Sequence, residues 1–169
     1  ILLKGTIDNY LKMTGPDIDP EICSRQKLMI GPWIHDMGKR KFDDLDFGEA
    51  ADLNEQELML RWFDSQLKGK DNGIMDEPPV KIFVMGENKW RFENEWPPAR
   101  ARYTSYYFHS KGRANSSQGD GVLDTKPPAT EPMDRYVYDP ADPVRTVGGM
   151  GPYDQKKKKK RNDVLVYTT

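Results

Sequence analysis

The sequence predicts an α/β segment followed by an all-β segment, divided between residues 73 and 74. Residues 1–73 show helix-type apolar spacings around one short apolar run. From Asp76 onward Pro, Tyr and Val dominate, and the apolar runs shorten to β length. The loops between those runs are longer than a small self-contained domain tolerates, so residues 74–169 read as a truncated β-sandwich.

Each element has its own signature. A short helix is expected over residues 5–13, with Thr6 as N-cap, Ile7, Tyr10 and Leu11 on one face, and Gly15-Pro16 as the stop. Residues 17–23 read as a loop or ragged turn. Residues 27–31 form a brief apolar run ended by Gly31-Pro32, as for a buried strand running into a loop. The clearest helix covers residues 54–68. Asn54 caps it, Glu57 completes a capping box, and Leu53 and Leu58 occupy the positions of a hydrophobic staple. Leu58, Met59, Trp62, Phe63 and Leu67 make its apolar stripe, which should need further core to cover it, and Gly69 can take the left-handed stop. Residues 80–86, 103–110, 136–140 and 163–169 read as strands, with a loop rich in Gly, Ser and Asn at 111–121. The lysine run 156–160 reads as a solvated loop rather than a polyanion site.

Composition narrows the function classes. Lys+Arg 26 against Asp+Glu 27 leaves a net charge of -1, which argues against nucleic acid as a partner. The chain is polar, with a mean hydropathy of -0.84, yet its 11% aromatic content argues against wholesale disorder. No apolar run approaches the roughly 20 residues of a bilayer-spanning helix, so no membrane span is expected. The single Cys23 excludes an internal disulfide and any multi-cysteine metal cluster, and leaves the compartment open. The chain opens at Ile1 without initiator Met or signal peptide, so targeting information is expected to lie outside this piece or to have been removed.

None of Ser24, Ser65, Ser105, Ser110, Ser116 or Ser117 lies in a G-x-S-x-G elbow. H-E-x-x-H, P-loop and G-x-G-x-x-G patterns are absent, so neither metal nor cofactor is expected. His35 is the residue that attracts chemistry. It follows an apolar strand and a Gly-Pro break, at the carboxyl edge where reacting groups collect in α/β folds. A loop after the last core strand is also where an α/β-hydrolase keeps its general base. An imidazole titrating near ~6.5 can take a proton from a serine hydroxyl and return it to a leaving group. The plain alternative is a half-buried histidine packed on Trp33.

The run Gly31-Pro32-Trp33-Ile34-His35 resembles the catalytic-histidine motif of the cocaine esterase / X-Pro dipeptidyl-peptidase (CocE/NonD) family of α/β-hydrolases. That family also holds α-amino-acid ester hydrolases and cephalosporin (glutaryl-amide) acylases. The likeness continues, in order, through Trp62-Phe63-Asp64, Leu67-Lys68-Gly69, Pro78-Pro79-Val80, Phe83-Val84-Met85-Gly86, Trp90-Arg91 and Trp96-Pro97. It persists through Tyr138-Asp139-Pro140-Ala141-Asp142-Pro143, Gly148-Gly149, Asp154-Gln155 and Arg161-Asn162-Asp163-Val164-Leu165-Val166-Tyr167. Arg145, where the family tends to have proline, and the lysine run depart from the pattern within predicted loops.

The resemblance implies that residues 1–73 are the C-terminal end of an α/β-hydrolase domain and residues 74–169 the first strands of a jelly-roll β-sandwich. It implies a serine hydrolase cleaving an ester, amide or peptide bond of a small molecule through a Ser-His-Asp triad, with His35 as general base. The nucleophilic serine, its elbow and the oxyanion-hole tyrosine would lie upstream, with the triad aspartate just ahead of Ile1, so the 169-residue chain alone is expected to be inactive. Asp8 is the nearest acid present, but helix geometry sets it a turn or more too late. Trp33 lines the acyl pocket or packs in the core. Trp90 and Trp96 are expected at the interface between the two domains, and His109 in a structural role. Asp36, Asp43, Asp44 and Asp46 read as solvated carboxylates rather than a site for a substrate ammonium. Self-association stays open. The competing reading is a non-catalytic β-sandwich binding or interaction module in which His35 is incidental.

Overall fold

A computed structural model describes residues 2–35, 37–148 and 153–169. The chain divides into two compact units, Ile1–Ala101 and Arg102–Thr169. The composition change near residue 73 marks the switch from helix to strand, whereas strand pairing carries the first unit on to Ala101.

The first unit is organised by a three-stranded sheet in the order β1-β4-β5, with β1 at Leu28–Ile30, β4 at Val80–Val84 and β5 at Lys89–Glu93. β1 runs parallel to β4, pairing Leu28 with Val80 and Ile30 with Ile82. β5 returns antiparallel, pairing Phe83 with Trp90 and Val80 with Glu93. Alternation then sorts the side chains. Leu28 and Val80 cluster with Tyr10, and Ile30, Ile82 and Trp96 pack around them. Phe83 joins Phe42, Phe47 and Ala51, with Trp33, Ile34 and Trp90 against that cluster. β5 was not anticipated. Its signal was the alternation of Trp90 and Phe92 with charged residues after a turn in which Asn88 takes φ 53°. Glu93, buried at the end of β5, is held by the Arg100 guanidinium in a two-pronged ion pair. That pair lowers the carboxyl below its usual range, first through the hydrogen bonds from Arg100.

Helix α1 covers Leu2–Met13, so it starts earlier than the sequence predicts, and Thr6 lies in its interior instead of capping it. Leu2, Leu3 and Lys4 are good helix formers and carry the helix past the expected start. It ends where expected, the Thr14 N–H and hydroxyl both reaching the Tyr10 carbonyl just before Gly15. Helix α2, Pro20–Ser24, occupies the expected loop. Its capping signal is local: Asp19 accepts from the Glu21 N–H at 2.8 Å and Pro20 sits at the first position. Helix α3, Glu55–Lys68, matches its prediction. Asn54 accepts from the Glu57 N–H at 3.1 Å, and Gly69 closes the helix at φ 62°, ψ 23°. Arg61 ties α3 to the following segment, donating to the Asn72 carbonyl at 3.0 Å and to Glu77 at 2.5 Å. Part of the α3 stripe stays exposed, Met59 at 49% and Leu67 at 77% with Phe63 between them, while Leu58 and Trp62 are half-buried. Between β1 and α3 the chain forms the hairpin β2 (Lys41–Phe42) and β3 (Leu45–Asp46), then a 3-10 turn at Glu49–Ala51.

Among its described residues the second unit has one hairpin-like pair, β6 (Tyr107–His109) with β7 (Val122–Asp124), antiparallel. The run at 103–110 is therefore a three-residue strand. Residues 136–140 form no strand, and residues 163–169 make only single bridges, Leu165 to Asn115 and Thr168 to Val122. Side chains add to the backbone hydrogen bonds that tie residues 164–168 to 114–123. Asp134 accepts from the Ala114 N–H at 2.8 Å, the Ser110 hydroxyl at 2.7 Å and the Tyr167 hydroxyl at 2.6 Å. Burial acts to raise the Asp134 carboxyl, but those three donors outweigh it and hold it low. Tyr167 is pushed up to about 12, first by burial and then by this bond. Its ring also packs on Phe108 at 4.6 Å.

His109 has the structural role expected of it. Its Nδ1 lies 2.7 Å from a Glu131 oxygen and its Nε2 lies 2.8 Å from the Lys126 carbonyl, so both ring nitrogens face acceptors. The geometry asks for a doubly protonated imidazolium, and the imidazole is accordingly raised, first by Glu131 and then by the Lys126 carbonyl. Glu131 is lowered, first by His109 and then by the Ser110 N–H.

Two outcomes follow from this unit. Tyr167→Phe should weaken it by about 1.5–3 kcal/mol, the range for a hydrogen bond to a charged group, and speed exchange of the Ala114 amide in hydrogen-exchange measurements. A raised histidine stabilises fully below its unfolded value of about 6.5 and loses that contribution as pH rises through its folded value. Glu131, being lowered, withdraws its share only as pH falls through its own folded value. The melting-temperature difference between wild type and His109→Gln should therefore be largest at about pH 6 and shrink as pH rises above His109's unfolded value of about 6.5.

Candidate functional site

The site begins where β1 ends. After Ile30 the chain passes Gly31-Pro32, and Trp33 folds back over Gly31, where a Cβ would lie 2.4 Å from the indole ring. Trp33 donates its Nε1–H to the Ala51 carbonyl at 2.7 Å and stacks tilted on Trp90 at 5.7 Å. Two residues on, His35 is exposed beyond the carboxyl end of the parallel pair β1–β4. It opens into a cleft of about 630 Å³ walled by Leu3, Met29, Ile30, Leu53 and Leu58, with Thr6 and Glu55 as further polar groups. Apolar walls with few polar groups suit a small organic ligand. Among the described residues no carboxylate pairs with the His35 ring.

The far side of the loop is also fixed. Gly38 takes φ 82°, its carbonyl accepts from the Leu53 N–H at 2.9 Å, and a side chain there would meet the Leu53 carbonyl at 2.3 Å. The Arg40 N–H donates to Asp52 at 3.2 Å, and its guanidinium lies 3.6–3.8 Å from Asp46, Glu49 and Asp52. Trp90 donates to the Ala50 carbonyl at 2.6 Å. The loop of His35 therefore rests on residues 50–53.

The other sequence candidates separate cleanly. Trp33 both lines the cleft and packs on the aromatic cluster. Asp46 is held below the usual carboxylate range, first by the Gly48 N–H and then by Lys41 and Arg40, so its charge is already matched. Asp43 and Asp44 form the turn of the β2–β3 hairpin, Asp43 at φ 53°. Asp36 lies outside the described residues. Asp8 pairs with Lys4 one helical turn earlier and is not part of the cleft wall. Trp90 and Trp96 both pack inside the first unit, Trp90 beside Trp33 and bonded to Ala50, and Trp96 beside Tyr10 and Leu28, so each meets residues that precede position 73. The pairing of β5 with β4 also sets Trp90 beside Phe83, edge-on at 5.2 Å. Among the described residues no group of three His, Cys, Asp or Glu side chains is placed to hold a metal ion. Sequence reasoning missed the support from residues 50–53, and its one signal was the shared aromatic character of Phe42, Phe47, Phe83 and Trp90.

Comparison with known proteins places the chain. Residues 72–169 match the X-Pro dipeptidyl-peptidase C-terminal non-catalytic domain. The chain belongs to the cocaine esterase / X-Pro dipeptidyl-peptidase family. Cocaine esterase of Rhodococcus sp. (strain MB1 Bresler) is 40% identical over 154 residues, a match covering 85% of this chain and 27% of that esterase. A Mycobacterium bovis protein provisionally named a serine esterase is 42% identical over 80 residues, covering 47% of this chain and 12% of its own length. An aminopeptidase from a marine sediment Thaumarchaeota archaeon superposes with a TM-score of 0.63 at 25% identity, over 94% of this chain and 25% of that one. The chain thus spans about a quarter of the length of the esterase and the aminopeptidase.

The contact between Gly31 and Trp33 gives a direct check. Gly31→Ala should cost about 1–3 kcal/mol in urea unfolding, as overpacking does, and alter the near-UV circular dichroism of the Trp33–Trp90 pair.

Proposed function

We propose that this chain is the portion of a serine hydrolase that carries the general base, His35, and that the enzyme cleaves an ester, amide or peptide bond in a small molecule. The observation that carries the reading is an exposed imidazole at the carboxyl end of a parallel strand pair, opening into an apolar cleft. The kinship with cocaine esterase supports the same chemistry. His35 would take the proton of a serine hydroxyl as it attacks the carbonyl, then return it to the departing alcohol or amine. A water molecule activated by the same imidazole would release the acyl group. The serine, the oxyanion donors and the orienting aspartate belong, on this reading, to polypeptide preceding the segment.

Residues 1–73 are then the end of an α/β-hydrolase domain, and residues 74–169 the opening strands of a jelly-roll domain. The family match beginning at residue 72 supports that division. Its description as non-catalytic favours a second role for the later residues, a β-domain that binds or braces and does not react.

His35→Ala in the full-length enzyme should lower kcat for p-nitrophenyl acetate by roughly 10⁴-fold or more, as loss of a triad base does. Near-wild-type turnover would rule the assignment out. The 169-residue chain alone should show no acylation burst with the same ester.

A further inference from the structure

We infer that Trp90, which does not line the His35 cleft, is a positioning residue for His35, acting through a hydrogen bond to the segment that carries the histidine loop. The inference rests on the reading of His35 as general base.

A general base must sit within hydrogen-bond reach of the proton it takes, and a displacement near 1 Å can cost about 10²-fold in rate. His35 sits on an exposed loop, so its placement depends on what holds that loop. Beside the Phe47 N–H on the Arg40 carbonyl and the packing of Ile34 on the aromatic cluster, the loop's holds include the Trp33 indole on the Ala51 carbonyl, the Leu53 N–H on the Gly38 carbonyl and the Arg40 N–H on Asp52. These last three land on residues 51–53. That segment is short and lies outside the sheet, beginning as a 3-10 turn whose first residue, Glu49, is open to solvent. The Trp90 Nε1–H, 2.6 Å from the Ala50 carbonyl, anchors it to β5.

The anchor closes a circuit. The histidine loop leaves β1, lies on the 50–53 segment, and that segment is pinned by Trp90 to β5, which returns through β4 to β1. Two neighbouring carbonyls, of Ala50 and Ala51, receive two indole N–H groups whose rings pack on each other at 5.7 Å. The Trp90 ring is itself fixed, edge-on to Phe83 and beneath the Lys81 ammonium at 4.8 Å. Burial alone would be served by phenylalanine. A donor aimed at a backbone carbonyl adds direction, which is what a loop bearing a proton acceptor requires.

The test uses the full-length enzyme with p-nitrophenyl acetate, turnover being normalised to active sites by burst titration. Trp90→Phe, and replacement of Trp90 by its benzothienyl isostere, which keeps the shape and lacks the N–H, are compared with wild type and His35→Ala. The expected result is a fall in kcat of about 10- to 100-fold in both Trp90 variants with KM within about twofold. The isostere keeps the test valid if the phenylalanine variant folds poorly. Unchanged kcat per active site in the isostere, with His35→Ala inactive, would overturn the positioning role and leave the general base standing. A loss confined to the fraction of active sites would also overturn it, because that is what a purely structural role predicts. Wild-type turnover in His35→Ala would remove the general base and the positioning role together.

Discussion

A three-residue parallel strand, Leu28–Ile30, ties the histidine loop to the rest of the first unit, and its pairing with β4 is the constraint on which the site depends. The pairing starts where the Leu28 N–H donates to the Pro79 carbonyl at 2.8 Å. Lys27 reinforces the entry by donating to the Met75 and Glu77 carbonyls. Burial lowers the Lys27 ammonium and the nearby acids Glu77 and Asp76 offset it. A parallel register leaves the carboxyl ends of both strands on one side, which is why the chain issues toward a cleft there. A slip of one residue would exchange Leu28 and Ile30 for Met29 against Tyr10 and Trp96, so the apolar cluster enforces the register that aims the loop.

The second unit solves its cohesion differently. With one short strand pair among its described residues, carboxylates and amides supplement the backbone bonds that tie residues 164–168 to 114–123. Asp134 gathers a backbone amide and two hydroxyls, Asn115 donates to the Arg135 and Asn162 carbonyls at 2.8 Å each, and Arg161 forks between Asp142 and Asp163. Half-buried polar groups joined in this way favour one arrangement, because others leave them fewer partners. The cost is reliance on a few side chains, such as Asp134, which joins three separate residues, and Arg161.

What the sequence revealed depended on the range of the interaction. The ends of α3 were legible because Asn54, Glu57 and Gly69 act within one turn of the helix they delimit. The cap of α2 was equally local, yet its five residues are too short to show an apolar period. Thr6 misled because a good capping residue lay inside a stretch that three strong helix formers extend. Residues 136–138 have β-type composition, but composition does not supply a neighbouring strand, and Tyr136, Val137 and Tyr138 stay exposed. At the candidate site, the position of His35 beyond β1 was legible from the strand and Gly-Pro break before it. Its support was not, since Trp33 reaches 18 residues along the chain to Ala51, and Trp90 reaches back 40 residues to Ala50.

The open stripe on α3 bears on how this stretch of polypeptide evolves. Met59, Phe63 and Leu67 contribute little to the interior of their own unit, so natural selection on them is exerted by whatever meets that surface. Drift at those three positions should keep step with changes in the abutting residues and be indifferent to changes in the sheet. A set of orthologous sequences would therefore disclose the neighbour of this helix before any larger structure does.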